Sequence, residues 1–247
     1  NLIPGEGDTE VSIDLRENHS PDYSILLVRE LDKTDDGNYF TQLSLFNTEK
    51  NSDERIVANI GLGKRFLNDE RTSVTGLNVF FDYDDKGNAR TSIGLEMRNA
   101  VLDFALNNYF GLDDADGEKV LDGYDLRFAS QIPFIHWADI FVNSYSWDGA
   151  NRDDVEGMSY GLDLSLTSNF QLEYAYDDKD KKGLEDEYYV KLIFVHPPKK
   201  GSTLGDGFSS EMWRTENDMS GELLTKVKRN NKIFVEFSGN STISRLD

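Results

Sequence analysis

Apolar and polar residues alternate along most of the chain up to position 196. The stretch 157–167 is the clearest example, because every second residue is large and apolar: Met158, Tyr160, Leu162, Leu164 and Leu166. The residues between them are small or polar. Successive side chains of a β-strand point to opposite faces. The pattern therefore predicts strands with one apolar face and one polar face.

This alternating unit recurs about twelve times, and each unit ends in a turn rich in Asp, Asn, Gly or Lys. The predicted strands lie near 10–16, 23–31, 38–48, 55–66, 72–84, 89–98, 100–111, 122–132, 137–147, 157–167, 170–177 and 186–196. Short turns near 98–99, 133–136 and 167–169 alternate with longer acidic loops at 112–121, 148–156 and 178–186. An even strand count and this asymmetry of connections are typical of outer-membrane barrels.

Two environments are compatible with the alternation. In an outer-membrane barrel the apolar face contacts lipid, whereas in a soluble sandwich or lipocalin-type barrel it fills a core. Tyrosines lie near the ends of the apolar rows, where membrane barrels carry aromatic girdles; they are Tyr83, Tyr124, Tyr160, Tyr176 and Tyr188. We predict an all-β fold, an antiparallel up-and-down transmembrane β-barrel of about twelve strands over 10–197. A leader at 1–9 precedes it.

The polar face of the predicted strands would line the lumen of this barrel. Its charged members are Asp82, Glu96, Asp103, Asp125, Arg127, Asp139, Asp163, Glu173 and Lys191. The chain as a whole has 46 acidic and 26 basic residues, a formal net charge of -20. This excess of acidic residues excludes nucleic acid as a partner, because contacts with phosphates need clustered cations.

The alternation ends after Val195. The Pro-Pro pair at 197–198 cannot continue a ladder of strand hydrogen bonds. Region 198–224 is predicted to form a connection and then a short helix over Phe208–Leu224. The apolar face of this helix would comprise Phe208, Met212, Met219 and Leu223.

The following stretch, Leu223 to Phe237, is extended and carries a charge opposite to that of the chain. Its sequence, LLTKVKRNNKIFVEF, has no hairpin partner of its own, and its cations are Lys226, Lys228, Arg229 and Lys232. We predict that 225–247 threads the barrel as a linker. Its cations either pair with the acidic lumen or face a lumen that is merely solvated. In a wet pore each pair would contribute no more than about 1 kcal/mol.

Candidate sites for catalysis or metal binding are weak. The loop 82–87 has Lys86 where an EF-hand loop needs an oxygen ligand. The chain has no Cys, and its three histidines, His19, His136 and His196, lack the partner motifs of a triad or a zinc site. We therefore predict no enzymatic activity, no metal and no cofactor.

Four segments, in this order, resemble the β-domain of inverse autotransporters, the intimin and invasin group. Asp82–Asp84 resembles the family's Tyr/Phe-Asp-Tyr/Gln-Asp run, and Gly123–Arg127 resembles its Asn-Gly-Phe/Trp-Asp-Ile-Arg strand. Ile132-Pro133 is similar to its Leu-Pro turn. The closing Arg-Asn-Asn-Asn-Ile-Val/Ile-Leu-Glu-Tyr linker is matched at Arg229, Asn230, Asn231, Ile233, Glu236 and Phe237, whereas Lys232 replaces the third Asn.

This resemblance, over about 39–237, implies a bacterial outer-membrane barrel of twelve strands, a periplasmic helix and a linker that leads outward to a C-terminal passenger. The expected function is export and surface display of an adhesin-like or invasin-like passenger. The expected partners are that passenger, outer-membrane lipid and lipopolysaccharide, the barrel-assembly machinery with periplasmic chaperones, and a host or surface receptor of the passenger. The alternatives are a passive porin-like channel, which leaves 208–247 without a role, and a soluble ligand-binding barrel.

Overall fold

Twelve antiparallel strands close into a barrel in the computed structural model, which describes residues 5–17, 19–50, 53–180, 186–214, 218–237 and 243–244. The barrel strands are β1 (Thr9–Arg16), β2 (Asp22–Thr34), β3 (Gly37–Lys50), β4 (Asp53–Leu67), β5 (Ser73–Asp84), β6 (Ala89–Asn99), β7 (Leu102–Asp113), β9 (Gly123–Ile132), β10 (Ile135–Trp147), β11 (Val155–Ser165), β12 (Phe170–Lys179) and β13 (Glu187–His196). A short strand, β8 (Glu118–Val120), lies in the loop between β7 and β9. The predicted barrel is confirmed, with strand limits within a few residues of those expected.

The barrel closes where β1 pairs with β13, in a register that runs from Thr9 opposite His196 to Arg16 opposite Tyr189. Every other neighbouring pair in the wall is also antiparallel and joined in sequence order, except that β7 pairs directly with β9. Closure leaves no wall strand with an unpaired edge, which is how a sheet can satisfy its backbone in lipid. None of the helices in the described part of the chain is long and apolar enough to span a membrane.

The two faces of the wall differ in the way the alternation predicts. In β5, Leu77, Val79 and Phe81 are about half exposed on the outside, whereas Asn78 and Asp82 are buried on the inside. An exposed apolar face around a buried polar interior is the reverse of a water-soluble core. This arrangement suits lipid outside and a filled, polar lumen inside.

The two ends of the barrel differ in their connections. The connections from β7 to β9, from β10 to β11 and from β12 to β13 leave the barrel at one end, called here the long-loop end. The turns at 35–36, 100–101 and 133–134 share the other, the short-turn end. The expected asymmetry is strongest in the second half of the chain, because the connection at 85–88 is short although it belongs to the long-loop end.

The single helix expected over Phe208–Leu224 is not what the described residues form. Two 3-10 helices, Leu204–Asp206 and Met219–Leu224, flank an irregular stretch at 208–214, and 215–217 lie outside the described residues. The predicted apolar face is also wrong, because Phe208 is 80% exposed whereas Met219 is buried. The cause is tertiary: the Phe134 amide donates to the Met212 carbonyl, and the Ser209 amide donates to the Phe134 carbonyl.

Candidate functional site in the lumen

Residues Thr225–Phe237, called the linker from here on, run through the lumen from the short-turn end to the long-loop end. At the short-turn end, the 3-10 helix Met219–Leu224 contacts β2 to β5, and Thr225 lies beside Arg98 near the β6–β7 turn. At the long-loop end, Glu236 binds the loop between β10 and β11. The chain therefore travels the length of the barrel in one direction, and position 237 lies at the long-loop end.

One wall of the barrel holds the linker by its main chain. Side chains of β4, β6 and β7 donate hydrogen bonds to five linker carbonyls, and side chains of β3, β7 and β9 accept from linker amides. The donors are Arg65 to Thr225 at 2.7 Å, Arg98 to Lys226 at 3.2 Å, Asn107 to Lys228 at 3.0 Å, Arg90 to Asn230 at 2.9 Å and Asn59 to Asn231 at 3.1 Å. The acceptors are Gln42 for the Val227 amide and the Tyr109 hydroxyl for the Asn230 amide, each at 2.8 Å, and the Asn230 amide also donates to Asp125 of β9 at 3.1 Å.

All four linker cations form ion pairs with carboxylates of the barrel. The pairs are Lys226 with Glu10 at 2.7 Å, Lys228 with Asp163 at 3.0 Å, Arg229 with Asp82 at 2.7 Å and Lys232 with Asp22 at 2.8 Å. Glu10 begins β1 at the short-turn end, and Asp22 begins β2 at the long-loop end. The pairs therefore mark successive heights in the lumen, and a shift of the linker along the axis would break them together.

The pair of Arg229 and Asp82 is shielded from solvent. Arg229 donates from both terminal nitrogens to Asp82, at 3.0 and 2.7 Å, and both side chains are fully buried. Asp82 also accepts from Arg90 at 2.9 Å and from Asn59 at 2.7 Å. The upper limit of about 1 kcal/mol for the stabilisation by each ion pair assumed a wet pore. That limit is therefore too low for this buried pair. Removing one partner from a buried ion pair costs about 3–5 kcal/mol.

An aromatic ring supports this ion pair from below, and a glycine makes room for the ring. The Arg229 guanidinium lies 4.2 Å from the centroid of Phe80, a cation–π distance. The Phe80 ring occupies the space in front of Gly61, where a Cβ atom would lie 2.2 Å from Cε1 of the ring. Any larger residue at 61 would displace the Phe80 ring and so disturb its cation–π contact with Arg229.

The upper linker, Ile233–Phe237, forms an apolar cap at the long-loop end. Phe234 stacks on Trp147 with ring centroids 3.9 Å apart. On the other side of the chain, Ile233 and Val235 are fully buried in a cluster with three residues of the rim; these are Phe46, Val57 and Val120. The cap contrasts with the polar stretch, Thr225–Lys232, on which the ion pairs lie.

The cap is also tied to the loops by strand pairing. The linker residues Val235–Phe237 form β14, which pairs antiparallel with β8, placing Val235 opposite Val120. A further two-residue strand, β15 (Ile243–Ser244), pairs with β14 on its other side. β8 itself is anchored to the barrel, since Arg55 donates to Glu118 at 2.8 Å and Asn88 donates to it at 2.6 Å.

Glu236 closes the contact between the linker and the loop 148–154. Its carboxylate accepts from the amides of Ala150, at 2.9 Å, and Asn151, at 3.1 Å. Burial by itself would raise the pKa of this carboxyl group, but the hydrogen bonds from Asn151 and Ala150 outweigh it and hold the pKa below its usual value. Glu236 is therefore ionised, and stabilised as the anion, at neutral pH.

The other charged residues predicted to face the lumen differ in how close they lie to the linker. Glu96 pairs with Arg65 and Arg98, each at 2.6 Å, directly beneath Thr225. Arg127 shares Asp163 with Lys228, and Asp125 accepts from the Tyr109 hydroxyl at 2.6 Å. The rest lie farther from the linker: Asp139 pairs with Arg214, Glu173 accepts from Tyr189, Asp103 is 3.8 Å from Arg98, and Lys191 lines a cavity.

Sequence analysis did not single out several residues that touch the linker. They are Glu10, Asp22, Gln42, Asn59, Arg65, Arg90, Arg98, Asn107, Tyr109 and Trp147. Many hold inward positions of an alternating strand, so the alternation could have nominated them as lumen residues. No local signal distinguishes those that meet the linker from those that do not.

The linker lies off-centre. A cavity of about 200 Å³ separates part of it from the opposite wall, where Asp14, Arg16, Tyr189 and Lys191 on β1 and β13 are among the lining residues. Asn143 of β10 also faces this space. The lumen is thus filled on the side of β3 to β7 and open on the side of β1 and β13.

Residues 3–231 match the family model described as the inverse autotransporter β-domain. The chain belongs to this family. Inverse autotransporter β-domains are translocator barrels of the outer membrane, not enzymes, so the protein is an outer-membrane β-barrel whose family implies a passenger. This location excludes the soluble ligand-binding alternative. No curated protein sequence matches the chain.

Solved structures share the fold of this inverse autotransporter domain. A membrane protein from work on the mechanism of in meso crystallization is 19% identical, with a TM-score of 0.71, over 94% of this chain and 100% of the other. The KdgM porin is 10% identical, with a TM-score of 0.53, over 76% and 98%. An outer membrane channel from Pseudomonas putida F1 is 11% identical, with a TM-score of 0.52, over 78% and 96%. At these identities the likeness concerns the fold alone.

Proposed function

We propose that this inverse autotransporter domain exports a C-terminal passenger, displays it on the cell surface and anchors it there through the linker. The observation that carries the proposal is the course of the linker, which enters at the short-turn end and reaches the long-loop end at Phe237. If the short-turn end faces the periplasm, any chain that follows the linker lies outside the cell. Anchoring then needs no second membrane segment.

The ion pairs and the cap support the anchoring role. Four charge pairs at successive heights resist sliding in either direction, because each displacement separates buried or half-buried charges. The apolar cap occupies the mouth of the lumen with packed side chains. A barrel that served only as a passive channel would not be expected to fill its lumen with a segment bound at so many points.

The proposal includes the partners that such a role requires. The barrel-assembly machinery and periplasmic chaperones would insert the barrel, and lipid and lipopolysaccharide would surround its exposed apolar face. The passenger would meet its host or surface receptor. We assign no catalytic step to the domain, and export and anchoring are its whole activity.

The test is protease accessibility of a tag placed after Asp247, in intact cells that express the chain behind a signal peptide. We expect the tag to be cleaved from outside while the barrel stays protease-resistant and heat-modifiable. A tag that is protected in the membrane fraction would instead indicate a passive channel with its C-terminal segment inside. Outer-membrane fractionation of the same cells controls for insertion.

A further inference from the structure

After the last wall strand, the chain follows the rim of the barrel at the short-turn end. Residues 199–214, called the rim segment, are bound in order to the turn between β11 and β12, to β10 and to β9. The hydrogen bonds run from the Lys199 amide to the Ser168 carbonyl at 2.7 Å, from the Trp137 indole to the Gly207 carbonyl at 2.9 Å, and from the Arg214 amide to the Gln131 side chain at 2.9 Å. The rim segment therefore lies along the edge of the wall.

The turn between β9 and β10 fixes the height of the rim segment. The Ser209 amide donates to the Phe134 carbonyl at 2.8 Å, and the Phe134 amide donates to the Met212 carbonyl at 3.0 Å. Extended chains joined by such bonds lie about 5 Å apart. A bilayer is about 30 Å thick in its hydrocarbon core and about 40–45 Å with its headgroups, which leaves roughly 5–7 Å of headgroup layer on each side. The exposed apolar face of the wall reaches this turn through Phe128 and Ile140, so the rim segment lies at the level of the headgroups.

The rim segment exposes apolar side chains although its backbone is held in place. Phe208 is 80% exposed, and Leu204, Met212 and Trp213 are between 39% and 49% exposed. An apolar patch on a fixed segment is unfavourable in water and marks a surface that something else covers. Its neighbour Phe134 indicates what covers it, because Phe134 is 44% exposed at the end of the lipid-facing wall. The patch continues that lipid-facing surface.

We propose that the rim segment is an interfacial anchor, whose exposed apolar side chains insert among the phospholipids of the adjacent leaflet. Trp, Phe and Leu are typical of the buried face of such elements, which enter the boundary between headgroups and acyl chains by about 5–10 Å. With the short-turn end in the periplasm, this leaflet is the periplasmic one. The contact lies outside the strands and needs no passenger, so it is tested apart from export.

The other side of the rim has the opposite character. The turns that follow β2 and β4 expose Asp35, Asp36, Asp69 and Glu70. Carboxylates at these positions favour water, because moving a charge into an apolar medium is costly. The described part of the rim therefore has one side that favours lipid, at β9 to β12, and one side that favours water, at β2 to β5.

The first experiment uses the absence of Cys from the chain. The variant Phe208→Cys carries a single nitroxide label, and Asp36→Cys, at an exposed position on the other side of the rim, is the matched control. In phospholipid vesicles, molecular oxygen concentrates among the acyl chains. Oxygen should therefore collide with the label at 208 more often than a water-soluble nickel chelate does, and at 36 the preference should be reversed.

Two outcomes of this experiment would overturn the anchor. A label at 208 that meets the nickel chelate as readily as the label at 36 would place the patch in water, open to a periplasmic protein. A label at 208 that is shielded from both reagents would mean that a second copy of the chain covers the patch. Because Phe208 is 80% exposed, its substitution should leave the barrel folded, which heat-modifiable migration checks.

The second experiment uses the native tryptophans as probes. Trp213 lies on the patch, whereas Trp147 is fully buried in the cap and Trp137 is partly buried. Lipid brominated near the headgroup end of its acyl chains should quench the fluorescence more than lipid brominated near the chain ends. This difference should be lost in Trp213→Phe. Equal quenching of Trp213→Phe and the wild type would contradict the proposal, because Trp213 would then lie away from lipid.

Discussion

The polar stretch and the apolar cap are neighbours in one linker, but the barrel holds them by different interactions. The polar stretch is fixed by ion pairs and by hydrogen bonds to its main chain, all of which need a particular position along the axis. The cap is fixed by aromatic stacking and apolar packing, which are less directional. The two regions therefore differ in what they determine.

This difference assigns two properties to different parts of the linker: its position along the barrel axis, called its register, and the closure of the barrel mouth. A linker that slipped by a residue would lose its charge partners in the polar stretch, while apolar side chains could still fill the mouth of the barrel in several ways. We infer that the polar stretch determines where the linker stops and the cap determines how tightly the mouth is closed. Substitutions in each region should have distinguishable effects.

The largest effect is expected from Lys228→Glu combined with Arg229→Glu. A carboxylate at 229 would face the fully buried Asp82, so the linker should be destabilised in the lumen by at least the 3–5 kcal/mol, roughly, that accompanies loss of a buried partner. Proteolysis near residue 230 by a protease of broad specificity should become much faster. Unchanged protection would contradict the role of the ion pairs.

The control for this variant is Lys64→Glu. Lys64 lies 3.6 Å from Asp36 in a pair that is partly exposed, with Asp36 56% exposed. Exposed pairs contribute about 1 kcal/mol or less. The rate of cleavage in the linker should therefore equal that of the wild type.

A smaller effect is expected from Phe234→Ala in the cap. The substitution removes the ring stacked on Trp147 and should destabilise the cap by about 3 kcal/mol. Hydrogen exchange should accelerate at 234–237, while the amides of Val227 and Asn230 stay protected. Phe208→Ala, at a site 80% exposed, is the matched control and should change neither region. Loss of protection along the whole linker would show that register and closure are not separable.

The smallest effect is expected from titration of Glu236. Its pKa in the folded state lies below the usual value of 4.5, so its contribution is complete above pH 4.5 and is lost as the pH falls through the lower, folded value. We expect the protection of the Ala150 and Asn151 amides, measured relative to the exchange rate of an unstructured chain at the same pH, to fall in that acidic range and to be constant from pH 5 to neutrality. Glu236→Gln should remove the pH dependence at a cost of about 1 kcal/mol. A pH dependence that survives in Glu236→Gln would assign it to another group.

Sequence reasoning failed at the segment 208–214, and the reason is physical. The apolar residues there have helical spacing, but the amides and carbonyls that a helix would use are bound to the turn at Phe134 and to neighbouring side chains. Arg214 is bound in the same way, because its amide and guanidinium donate to Gln131, His136 and Asp139, which are distant in sequence. Contacts distant in sequence outweighed local preference.

The sequence by itself determined the wall of this protein. A two-residue period is a local property, so twelve strands, their apolar outer face and their polar inner face can all be derived from neighbouring residues. The basic linker was likewise visible as a charge opposite to that of the chain.

Only the tertiary structure decided which charges meet. Arg229 and Asp82 are 147 positions apart, and Lys226 and Glu10 are 216 apart. Their pairing depends on barrel closure and on the height of the linker in the lumen, which no local pattern records.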